Sequence, residues 1–243
     1  MFDLHCHILP GLDDGAASPE VAMEMAAAAA RSGVTHIFAT PHCNTRNEQK
    51  NFRSLSLIDA YKDLQRALDR FQIPVRILSG AEVLARGHFR EHLEAGEFMT
   101  LNGSRYLLVE FYFDETPNYM EETLELVEAQ GLVPVVAHPE RYYCIQETPA
   151  LAEEWAHLGR PLQLNKGSLL GELGEGAYLT SARLLRRNVI SVIASDAHHY
   201  RYRNPHMGSL LEALELRFPE ADPRLLLREN PKRIAKNLPL ETL

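Results

Sequence analysis

The sequence predicts an α/β fold of about seven βα units around a parallel sheet. Short apolar runs rich in β-branched residues alternate with amphipathic stretches almost from end to end. Most of these runs are hydrophobic at nearly every position, as strands covered on both faces are. Most also end on His, Asp or Glu instead of an ordinary turn residue, and strand ends are where barrel active sites gather.

The expected strands are Phe2 to His5, Val34 to Thr40, Val75 to Ala81, Tyr106 to Phe111, Leu132 to Ala137, Pro161 to Leu164 and Val189 to Ala194. Ser18 can cap the first helix, Pro19 suits its first turn, Ala26 to Ala30 propagate it and Gly33 can close it. Further helices are expected near Leu55 to Phe71, Tyr119 to Gln130, Leu151 to His157, Ala177 to Arg187, Leu210 to Arg217 and Pro231 to Asn237. Gly171, Gly174 and Gly176 make a loop without the spacing of a nucleotide fingerprint. With no linker, low-complexity tail or internal repeat beyond the βα alternation, a single domain over residues 1–243 is expected.

The chain has 243 residues, 45% hydrophobic and 24% charged, enough to bury a large core and within the size of one α/β barrel. Its formal charge of -8 argues against a nucleic-acid surface, which needs clustered Lys and Arg, but not against one small anion site. The N-terminus lacks a basic start and an apolar signal-length run. No segment approaches the roughly 20 apolar residues of a membrane span, so a cytoplasmic protein is expected, without membrane insertion. Cys6, Cys43 and Cys144 are odd in number and fit reduced thiols better than a disulfide framework.

The chemistry gathers at the strand ends. The first strand runs into Asp3-Leu4-His5-Cys6-His7, whose histidines at i and i+2 lie on one side of an extended chain. Asp13 and Asp14 follow in Leu9-Pro10-Gly11-Leu12-Asp13-Asp14-Gly15. Later runs end in Thr40-Pro41-His42, Gly80-Ala81-Glu82, Val109-Glu110, Ala137-His138-Pro139-Glu140-Arg141 and Ala194-Ser195-Asp196-Ala197-His198. A single strand-end histidine is ordinarily a hydrogen-bonded packing residue, and His36, His88, His92 and His157 are read that way. Five histidines and four carboxylates on one rim are different, because the like charges repel without cations between them. Imidazole and carboxylate without thiolate suit Mn²⁺, Fe²⁺ or Zn²⁺.

The order of these motifs resembles the polymerase and histidinol phosphatase (PHP) family over essentially the whole chain. The resemblance implies a distorted (β/α)7 TIM-like barrel with a three-metal cluster at its C-terminal mouth, Mn²⁺ being the foremost candidate metal. His5, His7, Glu82 and Asp196 would hold one metal; Glu82, Glu110 and His138 a second; Asp14, His42 and His198 the third. Asp14 and Glu110 stand where many family phosphatases use histidine. Carboxylates there, the Leu9–Gly15 segment and the pair Arg141 and Arg203 resemble the bacterial protein-tyrosine phosphatases of capsule and exopolysaccharide synthesis. His199 departs from that branch, which often has Asn there.

Three divalent ions against Asp14, Glu82, Glu110 and Asp196 would leave the filled cluster at about +2, a natural host for a phosphate dianion. Arg141 and Arg203 would grip phosphoryl oxygens as planar forks. Hydrolysis by a metal-held hydroxide needs no covalent phosphoenzyme, and a phenolate leaving group needs little acid assistance. A cysteine phosphatase needs Arg six positions after its thiolate, but Leu12, Gln49 and Ala150 stand there. A Gly-x-Ser-x-Gly elbow is absent too.

Arg46, Lys50, Arg53, Tyr142, Tyr143, Tyr200, Arg201 and Tyr202 are expected around the mouth, a rim suited to a phosphotyrosine peptide. The resemblance names the Tyr-rich C-terminal tail of a bacterial tyrosine kinase as the partner. Two alternatives stay open: a hydrolase for a small phosphomonoester such as histidinol phosphate, and a non-catalytic metal module that binds phosphopeptides.

Overall fold

A computed structural model describes residues 1–45 and 50–241. Its strands are β1 (Phe2–Cys6), β2 (His36–Ala39), β3 (His42–Cys43), β4 (Arg76–Ser79), β5 (Glu82–Leu84), β6 (Tyr106–Glu110), β7 (Val133–Ala137), β8 (Leu162–Asn165) and β9 (Val192–Ala194). The first helices are α1 (Pro19–Arg31), α2 (Leu55–Arg70), α3 (Phe89–Glu94) and α4 (Pro117–Ala129). Then follow α5 (Tyr143–Glu147), α6 (Ala150–His157), α7 (Lys166–Leu169), α8 (Glu175–Arg186), α9 (Gly208–Arg217) and α10 (Asn230–Ala235).

All strand pairs are parallel, in two sheets ordered β1-β2-β4 and β3-β5-β6-β7-β8-β9. The expectation of one seven-stranded barrel is therefore met only in part: among the described residues there is no single closed sheet. The break comes at two expected strands, each of which stops short of its expected end and is followed by a separate short strand. Val34 to Thr40 stops at Ala39, where Thr40-Pro41 intervenes before His42, and proline cannot donate to a ladder. Val75 to Ala81 stops at Ser79, where Gly80 lets the backbones close up. A Cβ on Gly80 would lie 2.9 Å from Leu101 Cδ2 and 3.1 Å from Thr40 Cγ2. β3 and β5 resume beyond the breaks and pair His42 with Glu82 in register. On the far side, the His7 and Asp196 amides donate to Ala197 and His5 carbonyls at 2.9 and 2.8 Å, so β1 meets the end of β9.

Apolar residues alternate between the two faces of the strands, as a period of 2 requires. Leu4, Phe38, Leu108, Val135, Val192 and Ala194 fill one buried cluster. Ile37, Leu107, Val109, Val136 and Ile193 face the helices, meeting Met25, Leu64, Leu124 and Leu184. Both faces are covered, so the polar strand ends collect at one rim. α1 starts as the sequence predicts, Ser18 Oγ accepting from the Val21 amide. α3, α5 and α7, of six, five and four residues, are too short to leave a readable period.

Candidate metal centre and the family it belongs to

Nine side chains singled out in the sequence meet at the C-terminal strand ends. His5 Nε2 and His7 Nε2 stand 3.1 Å apart. Each is 3.2 Å from Glu82 Oε2, and they lie 3.6 and 3.5 Å from Asp196 Oδ1. His138 Nε2 lies 2.9 Å from Glu82 and 3.6 Å from Glu110. His42 Nδ1 approaches Glu82 at 3.0 Å and Glu110 at 3.6 Å, while its Nε2 is 3.5 Å from Asp14 Oδ1. His198 Nε2 is also 3.5 Å from Asp14. Groups able to hold an ion are His5–His7–Asp196, His5–Glu82–His138, His42–Glu82–Glu110 and His7–Asp14–His42–His198. The grouping differs from the expected one: His5, His7 and His42 each belong to two groups, and Glu110 falls with His42 where His138 was expected.

The donor chemistry fits divalent cations. Acceptor oxygens hold three rings in one tautomer: His5 Nδ1 donates to Gln163 Oε1 (2.9 Å), His7 Nδ1 to Asp13 Oδ2 (2.7 Å) and His198 Nδ1 to the Asp196 carbonyl (3.0 Å). Each ring, when neutral, then directs an Nε2 lone pair inward. Two lone pairs facing each other at 3.1 Å repel unless a proton or a metal cation lies between them. Four ligands about 2.1 Å from a tetrahedral ion stand about 3.4 Å apart, close to the spacings above.

The proton equilibria carry the same demand for positive charge. Burial opposes ionisation of the His7 ring, yet Asp13 beside it holds it well above its usual range. Burial also disfavours ionised Glu82, but the His5 and His42 rings keep its carboxyl well below the ordinary range. Glu110 is pushed up to about 8 by burial and by the neighbouring Glu82. Burial lowers His138 to about 4.

Arg141 and Arg203 both reach Asp196 Oδ2, at 3.4 and 2.8 Å, and Asn165 Nδ2 donates to the same oxygen at 2.6 Å. The Arg141 guanidinium lies 4.4 Å from the centroid of the Phe113 ring. His138, Asp196 and Arg203 have positive φ of 32°, 49° and 44°, a conformation costly for residues with a Cβ and concentrated at functional sites. Asp14, His42, Glu82, Glu110, Phe113, His138, Arg141, Asp196, His198 and Arg203 line a cavity of about 190 Å³, and His5 and His7 are wholly buried beside these residues.

Sequence reasoning left several neighbours unassigned. Asp13, read beside Asp14 but given no task, orients His7 and accepts from the His42 amide at 2.9 Å. Gln163 and Asn165 orient His5 and Asp196; their signal is polar alternation within Leu162-Gln163-Leu164-Asn165. Phe113 gave none. At the rim, Tyr142 is a correction: it is wholly buried, donating to the Ala137 carbonyl at 2.8 Å and accepting from the Phe111 amide at 3.2 Å. Tyr143 and Tyr202 are exposed, and Tyr202 stacks on His199 at 4.3 Å. Arg46 lies outside the described residues. His36 begins β2 instead of sitting mid-strand, and His88, read as packing, is exposed.

Residues 1–236 match the family described as capsular polysaccharide synthesis, CpsB/CapC. The chain belongs to the CpsB/CapC family. It is 38% identical over 240 residues to the tyrosine-protein phosphatase YwqE of Bacillus subtilis, covering 98% of this chain and 92% of that one. To the tyrosine-protein phosphatase CpsB of Streptococcus pneumoniae it is 27% identical over 239 residues, covering 96% and 98%. A solved structure from a study of YwqE and CpsB, described as unique metal-dependent tyrosine phosphatases, superposes with a TM-score of 0.90 at 36% identity, over 100% of this chain and 97% of that one. The Mycobacterium tuberculosis phosphotriesterase (TM-score 0.53, 12% identity, 92% and 86% covered) shares the fold alone.

Proposed function

We propose that this CpsB/CapC chain is a metal-dependent protein-tyrosine phosphatase. The observation that carries the reading is one cavity in which lone pairs of imidazoles and carboxylates converge while two guanidinium groups stand at its edge. The names of the Bacillus and Streptococcus relatives support the phosphotyrosine substrate.

His5, His7, Glu82 and Asp196 would hold one ion, Glu82, Glu110 and His138 a second, and Asp14, His42 and His198 a third, with Mn²⁺ the metal favoured. Such ions, when bound, supply a nucleophile from water near neutral pH and neutralise phosphoryl charge. Arg141 and Arg203 act as phosphoryl clamps, since their planar forks match pairs of phosphate oxygens. Phe113 braces Arg141 beneath its guanidinium, and Asp196 orients Arg203. Asp13, Gln163 and Asn165 fix the rings and carboxylate they touch. Thiolate chemistry has no support: burial pushes Cys43 up to about 12 and raises Cys6 well above its ordinary value. A tyrosine leaving group, with pKa about 10, departs without a dedicated acid.

We further infer that the two sheets make one distorted (β/α)7 barrel, that residues 1–243 form one PHP-type domain, that the enzyme is cytoplasmic, and that its substrate is the tail of a bacterial tyrosine kinase that controls polysaccharide export. Among the described residues no helix is long and apolar enough to cross a membrane. Phosphate release from a phosphotyrosine peptide and from histidinol phosphate, measured in parallel on Mn²⁺-loaded protein, tests the substrate. Preference for the peptide is expected. Preference for histidinol phosphate would sink the tyrosine reading, and silence on both with tight peptide binding would leave a binding module.

A further inference from the structure

A second cavity, of about 590 Å³, opens beside Phe2 and His36, the first residues of β1 and β2, far along the strand from His5 and His7. Phe2, His36 and Leu78 give it an aromatic and apolar side. Arg228, Lys232 and Lys236 line the other, from the helical run over residues 225–235 and its C-cap. The Phe2 and His36 rings stack at 4.3 Å and 9°, and His36 is half-buried and lines the cavity. The Thr35 hydroxyl spends its hydrogen on the Met1 carbonyl at 3.1 Å. His36 Nδ1 must then be the donor in its 2.9 Å contact with Thr35 Oγ1, leaving Nε2 an acceptor.

The three cations recur every four residues, and like charges at that spacing on one helix face repel one another. No carboxylate lines this cavity. Among the described residues Lys232 and Lys236 have no ion-pair partner, and Arg228 has only the loose contact of its Nε with Glu229 at 3.8 Å. In a chain of net charge -8, such a stripe beside a stacked ring pair is a local inversion that a bound anion would relieve. The volume suits a compact organic ligand.

We propose that this cavity binds a nucleoside 5′-diphosphate, the base stacked on the His36–Phe2 pair and the phosphates held by Lys232, Lys236 and Arg228. The reading is independent of the phosphatase assignment. Calorimetric titration of metal-loaded full-length protein with α,β-methylene-ADP, adenosine and pyrophosphate tests it, in the wild type and in Lys232→Ala/Lys236→Ala, His36→Ala and Arg203→Ala. The expectation is one site per chain for the nucleotide analogue, weakened about tenfold or more in the lysine and His36 variants, and unchanged in Arg203→Ala. Adenosine and pyrophosphate should each bind at least about tenfold more weakly. Unchanged melting temperatures would show that the variants are folded. Three results would overturn the proposal: no binding at millimolar analogue, binding lost only in Arg203→Ala, or pyrophosphate binding as tightly as the analogue and weakened by Lys232→Ala/Lys236→Ala.

Discussion

Gly15→Ala should disable the candidate centre while leaving most of the α/β fold intact. A Cβ on Gly15 would lie 2.1 Å from the His7 carbonyl oxygen and 2.4 Å from His7 Cβ, against the 3.4 Å at which ordinary contact begins. Loop and strand must part by about 1.3 Å. That displacement is enough to break three contacts anchored there: Ala16 N to His7 O (2.9 Å), His7 Nδ1 to Asp13 Oδ2 (2.7 Å) and His42 N to Asp13 Oδ2 (2.9 Å). At about 1 kcal/mol each the loss is about 3 kcal/mol, and Asp14, His7 and His42 lose their alignment. Gly11→Ala is the control: its φ is +71° but nothing lies within 4 Å of the added Cβ, so it pays only the left-handed cost of about 1–2 kcal/mol. Urea unfolding, with phosphotyrosine hydrolysis on the same samples, compares the two. If Gly15→Ala matched Gly11→Ala in stability and retained full activity, the loop would not be holding the site.

Arg203→Ala should lower kcat/KM on a phosphotyrosine peptide by about 10- to 100-fold, the loss of one charge-assisted contact worth about 1.5–3 kcal/mol, and Arg203→Lys should recover only part; equal rates for all three proteins would remove Arg203 from the clamp. Arg160→Leu should cost about 1–3 kcal/mol in urea unfolding. Arg160 is buried and joins Glu121 (2.7 Å) to Glu128 (2.8 and 3.0 Å), but both carboxylates are more than a third exposed and can relax into water. Glu140 is wholly buried and pushed up to about 7 by that burial. Because its folded value is raised, wild type is favoured at low pH and loses stability as pH rises through about 7. The advantage of Glu140→Gln should therefore grow from about pH 5 to pH 8, reaching up to about 3 kcal/mol; a pH-independent difference would contradict it.

The strands were legible because their hydrophobicity runs over both faces, and the candidate ligands because they interrupt it at the ends. The same continuity hid the breaks: nothing apolar changes at Pro41 or Gly80, yet backbone chemistry at one and close packing at the other separate the strands into two sheets. Asp13, Gln163 and Asn165 were present as polar residues without a task, since their roles rest on partners that only folding brings near. His5 and Gln163 are 158 residues apart. Tyr142 follows the expected rim motif but turns inward to satisfy two backbone groups, a choice invisible to spacing.

Whether divalent metal held by this cluster drives phosphotyrosine hydrolysis is decided by titrating chelator-stripped protein with Mn²⁺ while counting bound ions and released phosphate. Release should be negligible before titration and rise to saturate at about three ions per chain. Full release from the stripped protein, or Mn²⁺ bound without any release, would rule out metal-driven hydrolysis at this cluster.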